Sequence, residues 1–129
     1  MAWVVRAGEA KAQDLIAGYV PHLSVPGLFG FSVQAAPGLG VDELALSGHF
    51  PHATISYEDD VILAAALATI GYRLELVASP GIGHHHTFCV LYDTTGTRQH
   101  HLPPAAAQVL AQTFQRKKNP HPFPRRRHP

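Results

Sequence analysis

A chain of 129 residues suffices for one modest core and is too short for two. Its 46% hydrophobic and 15% charged content is globular, and a single cysteine excludes an internal disulfide and a cysteine-rich zinc module. The net charge of +1 is unevenly spread: residues 116–129 hold six Lys/Arg and no acid, whereas the preceding 115 hold four Lys/Arg against nine Asp/Glu.

Trp3-Val4-Val5-Arg6 predicts a short first strand, and Ala12, Leu15, Ile16 and Tyr19 follow the spacing of one helix face. From Pro21 to Gly40 the chain is rich in Pro and Gly around one β-like piece, Phe29 to Gln34. Val41 to Leu46 predicts a short helix, and His52 to Tyr57 a strand. Val61 to Ile70 is the clearest helix. Glu58, Asp59 and Asp60 lead it, Gly71 stops it, and its apolar residues surround it, so a central position is expected. The same run is too short to span a bilayer.

Tyr72, Leu74, Leu76 and Ala78 alternate with Arg73, Glu75, Val77 and Ser79, which predicts a strand with one buried face. A loop through Gly81 and Gly83 leads to a second strand, His84 to Tyr92. Pro103 and Pro104 open a last helix with Ala106, Val109, Leu110, Thr113 and Phe114 on one face. The mixed order predicts a small single α+β domain of short strands and three to four helices over residues 1–115. Residues 116–129, with four prolines among the last ten, read as a basic, Pro-rich flexible tail able to contact an acidic surface. The N-terminal MAWVVRAGEA lacks the pattern of a cleaved secretory signal, so folding in the cytoplasm is expected.

Three groups of residues compete for a chemical role. The first is His84-His85-His86. Neighbours on an extended chain alternate sides, so at most His84 and His86 act together, with His49, His52, His100 or His101 as distant co-ligands. Metal-ligand spacing is absent and no metal site is expected. The second is a recurrence of His-x-Ser/Thr-hydrophobic at His22-Leu23-Ser24-Val25, His52-Ala53-Thr54-Ile55 and His85-His86-Thr87-Phe88. Two such pairs facing each other, built on His52 and His85, can supply acid and base to a phosphodiester, and this is similar to the two-histidine phosphoesterases.

The third is ordered along the chain: Val5-Arg6-Ala7-Gly8, then Gly27 to Val33, then His85-His86-Thr87-Phe88 before a terminal helix. This order resembles small ADP-ribosyltransferase-like bacterial toxins, including a branch delivered by type VI secretion, over most of residues 3–114. The resemblance implies a split sheet, NAD as substrate, a protein or nucleic-acid target, an immunity or antitoxin partner, and export as an effector by a non-classical route. It places Arg6, Ser32, His86 and Glu75 in catalysis, and Arg6, Phe29, Phe31, Ser32, His85 and Thr87 around the NAD. Arg6 offers a donor fork for phosphate oxygens, Phe29 or Phe31 a stacking face, and Ser32 a hydroxyl.

Such transferases carry a late Glu that stabilises the ribosyl cation, and Glu75 is the only late Glu here, at a position that does not clearly match. Plainer readings stand beside each residue. Arg6 can be a surface charge or pair with Glu75 or Asp93, and Phe29, Phe31 and Cys89 can be ordinary core. A non-enzymatic interaction module using its basic tail is the third alternative.

Overall fold

Val4 and Val5 are adjacent, point to opposite sides of a strand, and are both fully buried. The first strand is therefore covered on both faces, and the rest of the fold supplies the covers. The computed structural model describes residues 1–79 and 81–124. In chain order it contains β1 (Trp3–Ala7), α1 (Ala12–Gly18), β2 (Val20–Pro21), β3 (Phe29–Ala35), α2 (Val41–Gly48), β4 (Thr54–Asp59), α3 (Asp60–Ala68), β5 (Tyr72–Ala78), β6 (His86–Asp93), α4 (Pro104–Thr113) and β7 (Gln115–Lys118). This is a small α+β domain, as the mixed order of elements predicts.

The strands pair antiparallel in the order β5-β6-β3-β1-β4-β7, with the short β2 pairing β3. Val4, Phe31, Val33, Cys89 and Leu91 share one core with Leu15 of α1, Leu63 and Leu67 of α3, and Ala106, Ala107 and Leu110 of α4. On the opposite face Val5 and Ile55 pack with Leu44 and Ala45 of α2, and Leu28, Phe88 and Val90 form a smaller cluster beside them.

The ladder between β1 and β3 is short. It pairs only Val4 with Ala35 and Val5 with Gln34, although β1 continues along β4 as far as Ala7–Ile55 and β3 continues along β6 as far as Phe31–Cys89. Past Val5 the two central strands lose their shared ladder, and the Arg6 side chain bridges the opening.

Local chemistry explains the helix starts. Asp59 accepts a hydrogen bond from the Val61 N–H at 2.7 Å and caps α3, and Asp60 accepts from the Ala2 N–H at 2.8 Å, anchoring the start of the chain. The three acids that lead this helix are thus used singly, with Glu58 accepting from the Asp59 N–H and the Gln115 amide.

Three expectations are corrected. Helix α3 is not central: Leu63 and Leu67 are buried, but Val61 and Ile62 face outward. The strand expected from His84 begins at His86, because His85 has a left-handed backbone (φ 62°) that breaks the extended run. The basic segment does not begin as a flexible tail. Residues Arg116, Lys117 and Lys118 belong to β7 and pair with Ser56, Ile55 and Thr54 of β4, because backbone hydrogen bonding and captured carbonyls replace the apolar pattern they lack. The last part of that tail, residues 125–129, lies outside the described residues.

Candidate functional site

A cleft of about 390 Å³ opens where β1 and β3 separate, lined by Arg6, Ser32, Gln34, Phe50, His52 and His86 among others. Arg6 donates from Nη1 to the Ser32 carbonyl at 2.7 Å, and its guanidinium carbon stands 5.4 Å from the centroid of the Phe31 ring. Gly18 leaves the space this requires, since a Cβ there would stand 2.6 Å from Arg6 Nη2. Burial lowers the Arg6 pKa from its ordinary value, opposed by the nearby Cys89 and Asp14, and the guanidinium nonetheless stays charged at neutral pH. No carboxylate lies within ion-pair distance of Arg6 among the described residues. The two acids considered for that role lie elsewhere. Asp93 accepts from Thr95 and Thr97 in its own turn, and Glu75 is exposed on the edge strand β5.

His86 meets Arg6 at the same residue: its Nε2 lies 2.9 Å from Ser32 Oγ. Burial, and secondarily the proximity of His22, lowers the His86 pKa below its ordinary 6.5, so the imidazole is neutral at neutral pH. Its Nδ1 is buried with no hydrogen-bond partner among the described residues. A bare lone pair there costs less than an orphaned N–H, so we assign the proton to Nε2, donated to Ser32 Oγ. The exposed Ser32 hydroxyl is then free to donate to a ligand. This tautomer is opposite to the one that activates a serine nucleophile, and among the described residues no acid orients the ring from behind. Ser32 is a positioned hydroxyl.

The second imidazole of the cleft, His52, comes from the loop before β4. Its ring rests beside Gly8, where a Cβ would stand 3.6 Å from His52 Cδ2. Buried Asn119, just past β7, holds this loop by donating from its side chain to the Phe50 and His52 carbonyls at 3.2 and 2.9 Å, and from its backbone to Ala53. Phe50 supplies the aromatic wall, and a Cβ on Gly48 would collide with its ring. Sequence reasoning missed Phe50. The glycine two residues before it is the available signal, and it shows only once the loop is folded.

Arg6, Ser32, His52 and His86 therefore line one opening, with the Ser32 hydroxyl and His86 on one face of the sheet and the Arg6 guanidinium reaching the Ser32 carbonyl from the Phe31 and Gly18 side. The other expected site residues lie elsewhere. Phe31 is fully buried beneath Arg6, and Phe29 stacks on His100 with ring centroids 4.6 Å apart. Thr87 is buried on the opposite face of β6 from His86, its hydroxyl close to the Ala35 and His85 carbonyls. The His85 ring packs on His84 at 4.1 Å, and both line a groove beside Ala35, Ala36 and Pro37 rather than the cleft. The proposed pairing of His84 with His86 is thus not formed, and neither is a facing pair of His52 and His85. Glu75 does not line the cleft, because β5 is separated from β3 by β6. The His22 motif is structural: Nδ1 accepts from the Ser24 and Val25 N–H groups, leaving Nε2 to donate to Ser79 Oγ at 2.8 Å. Cys89 is completely buried, which pushes its thiol pKa up to about 12, so it offers no thiolate.

The cleft thus combines a guanidinium without a carboxylate partner, two imidazoles and a hydroxyl with a free donor, with an aromatic ring at its wall. This set can hold an oxyanion and transfer a proton beside it. Comparison with known proteins finds no match: no protein-family model, no curated protein and no solved structure matches this chain.

Proposed function

We propose that the opening between β1 and β3 binds a nucleotide through its phosphates, and that NAD is the ligand, in a toxin-like protein of the ADP-ribosyltransferase kind acting on a cellular target. The convergence of Arg6 and His86 on Ser32 carries this reading. These are three of the four residues that the resemblance assigns to catalysis, and all three line the opening where the central strands part. Arg6 would hold the pyrophosphate, Ser32 would donate to a ribose or phosphate oxygen, and neutral His86 would fix the Ser32 hydroxyl. Phe50, rather than Phe29 or Phe31, is placed to lie against a flat base. The cleft offers no carboxylate to a ribosyl cation, so this constellation is better suited to binding NAD than to rapid transfer.

A second reading is favoured by one observation: His52 and His86 line the same carboxylate-free cleft as Arg6. One imidazole as base, the other as acid and a guanidinium on the phosphate can cleave a phosphodiester without a metal.

Titration calorimetry and thermal shift with NAD, ADP-ribose and inorganic phosphate test the first reading. A stabilisation by NAD that Arg6→Ala and His86→Ala abolish and Glu75→Gln leaves intact is expected. No response to any of the three would overturn it. Growth arrest on expression in a bacterial host, relieved by Arg6→Ala, is the expected cellular counterpart. RNA cleavage in EDTA that both His52→Ala and His86→Ala remove would instead establish the second reading.

A further inference from the structure

The apolar stripe of α3 and the open edge of β5 have no counterpart in the nucleotide cleft. Helix α3 contains no polar side chain between Val61 and Ala68, and its residues Val61, Ile62, Ala65 and Ala68 lie outward along one face. Val61 is 59% exposed and Ile62 49%, beside Ile70 at 37%. A soluble chain rarely leaves such a stripe uncovered. The helix packs against β5, whose outer edge has no strand partner among the described residues. The opposite edge, β7, carries Arg116, Lys117 and Lys118, which discourage further pairing. Strand β5 carries Arg73 and Glu75 as its only charged residues, both exposed and neither in an ion pair among the described residues, with the Arg73 guanidinium lying over the Tyr92 ring at 5.5 Å.

We infer that β5 is the interface of a two-fold homodimer, in which it pairs antiparallel with β5 of a second copy about Leu74. The backbone parity permits this register. The Ser79 N–H bonds to the His86 carbonyl at 2.8 Å, so odd-numbered residues of β5 turn their backbone groups toward β6. Tyr72, Leu74 and Leu76 then present theirs outward. Centred on Leu74, the pairing exchanges backbone hydrogen bonds between Leu74 and its symmetry mate and between Tyr72 and Leu76. Arg73 falls opposite Glu75 of the partner subunit, twice, in non-hydrogen-bonded positions where side chains approach most closely.

That charge pattern is self-complementary, which identifies a second copy of this chain as the occupant rather than an unrelated strand. A two-fold axis perpendicular to the sheet puts both α3 helices on the same face, so that Val61, Ile62 and Ala65 of each copy cover those of the other. Two sheets of seven strands become one of fourteen, and the stripe loses its exposure.

Sedimentation velocity on the full chain, over two decades of concentration around the micromolar range, tests this. The wild type is expected to pass from monomer to dimer. Arg73→Glu and Glu75→Arg are each expected to weaken self-association at least about tenfold, by placing like charges opposite each other. Mixing the two single variants is expected to restore a dimer, and so is the double exchange R73E/E75R, since either arrangement returns opposite charges across the axis. Because both residues are exposed, circular dichroism of the variants should match the wild type. Ile62→Lys is expected to give a monomer through the helix face alone. A wild type that stays monomeric throughout, a dimer indifferent to the charge exchanges, or capture only of a different protein would overturn the inference.

Discussion

At the scale of single residues, the cleft depends on which protons are held and where. His86 titrates below 6.5 in the fold, because burial opposes its charged form, while in the unfolded chain it titrates near its ordinary value. The unfolded state therefore binds this proton more readily, and protonation favours unfolding. The contribution is absent above about pH 6.5 and grows as a destabilisation while the pH falls toward the folded value. The expected result is a His86 ring-proton NMR midpoint below 6.5 that moves upward in His22→Ala, with a urea midpoint that declines on acidification over the same range. The sequence makes Arg6, Ser32 and His86 visible as residue types in order. It does not show which imidazole of the triplet turns inward, because that is decided by the left-handed backbone at His85, and a histidine carries no mark of it. The aromatics illustrate the same limit. Phe29, Phe31 and Phe50 are chemically equal, and the path of the backbone alone buries one, stacks another on His100 and gives the third to the cleft.

At the scale of elements, the loop carrying His52 is held from a distance by the segment after β7. Asn119 donates to two loop carbonyls, accepts from the His121 N–H at 3.0 Å, and the Phe123 N–H reaches the Phe50 carbonyl at 2.8 Å. Asn119→Ala removes the side-chain bonds to the loop, including the one that the His52 carbonyl receives, a cost of about 0.5–1.5 kcal/mol per bond. Equilibrium urea unfolding is expected to show that loss. His52 amides should also gain hydrogen-exchange rate by more than those of β3, which marks a local effect. Periodicity makes the helices and the paired strands β5 and β6 legible, because each has an apolar face to bury. It fails at β7, where Gln-Arg-Lys-Lys has no alternation. That strand forms because β4 presents an open ladder, and because Arg116 reaches the carbonyls of Glu9, Phe114 and Ala111, each at 2.7 Å.

At the scale of the whole molecule, most of the sheet is built from distant parts of the chain. Strand β1 pairs with β4, β3 with β6, and β4 with β7, so each ladder must close a long loop before it is repaid by contacts. The order of patterns predicts the α+β class, but the single core that the length suggests is divided by the sheet into clusters on its two faces. The same order of patterns does not predict strand order, which arises from non-local pairing. Truncation tests how far the cooperative unit extends. A chain ending at Gln115, where composition puts the end of the domain, is expected to lose the cooperative thermal transition of the full chain by circular dichroism, because β4 becomes a bare edge and Arg116 and Asn119 are gone.

The order of Asn119 and the loop it holds has a consequence for biosynthesis. Asn119 follows His52 by 67 residues, so the rim that carries Phe50 and His52 leaves the ribosome well before the side chain that clasps it. A nascent polypeptide displays that rim unclasped until the segment after β7 has emerged.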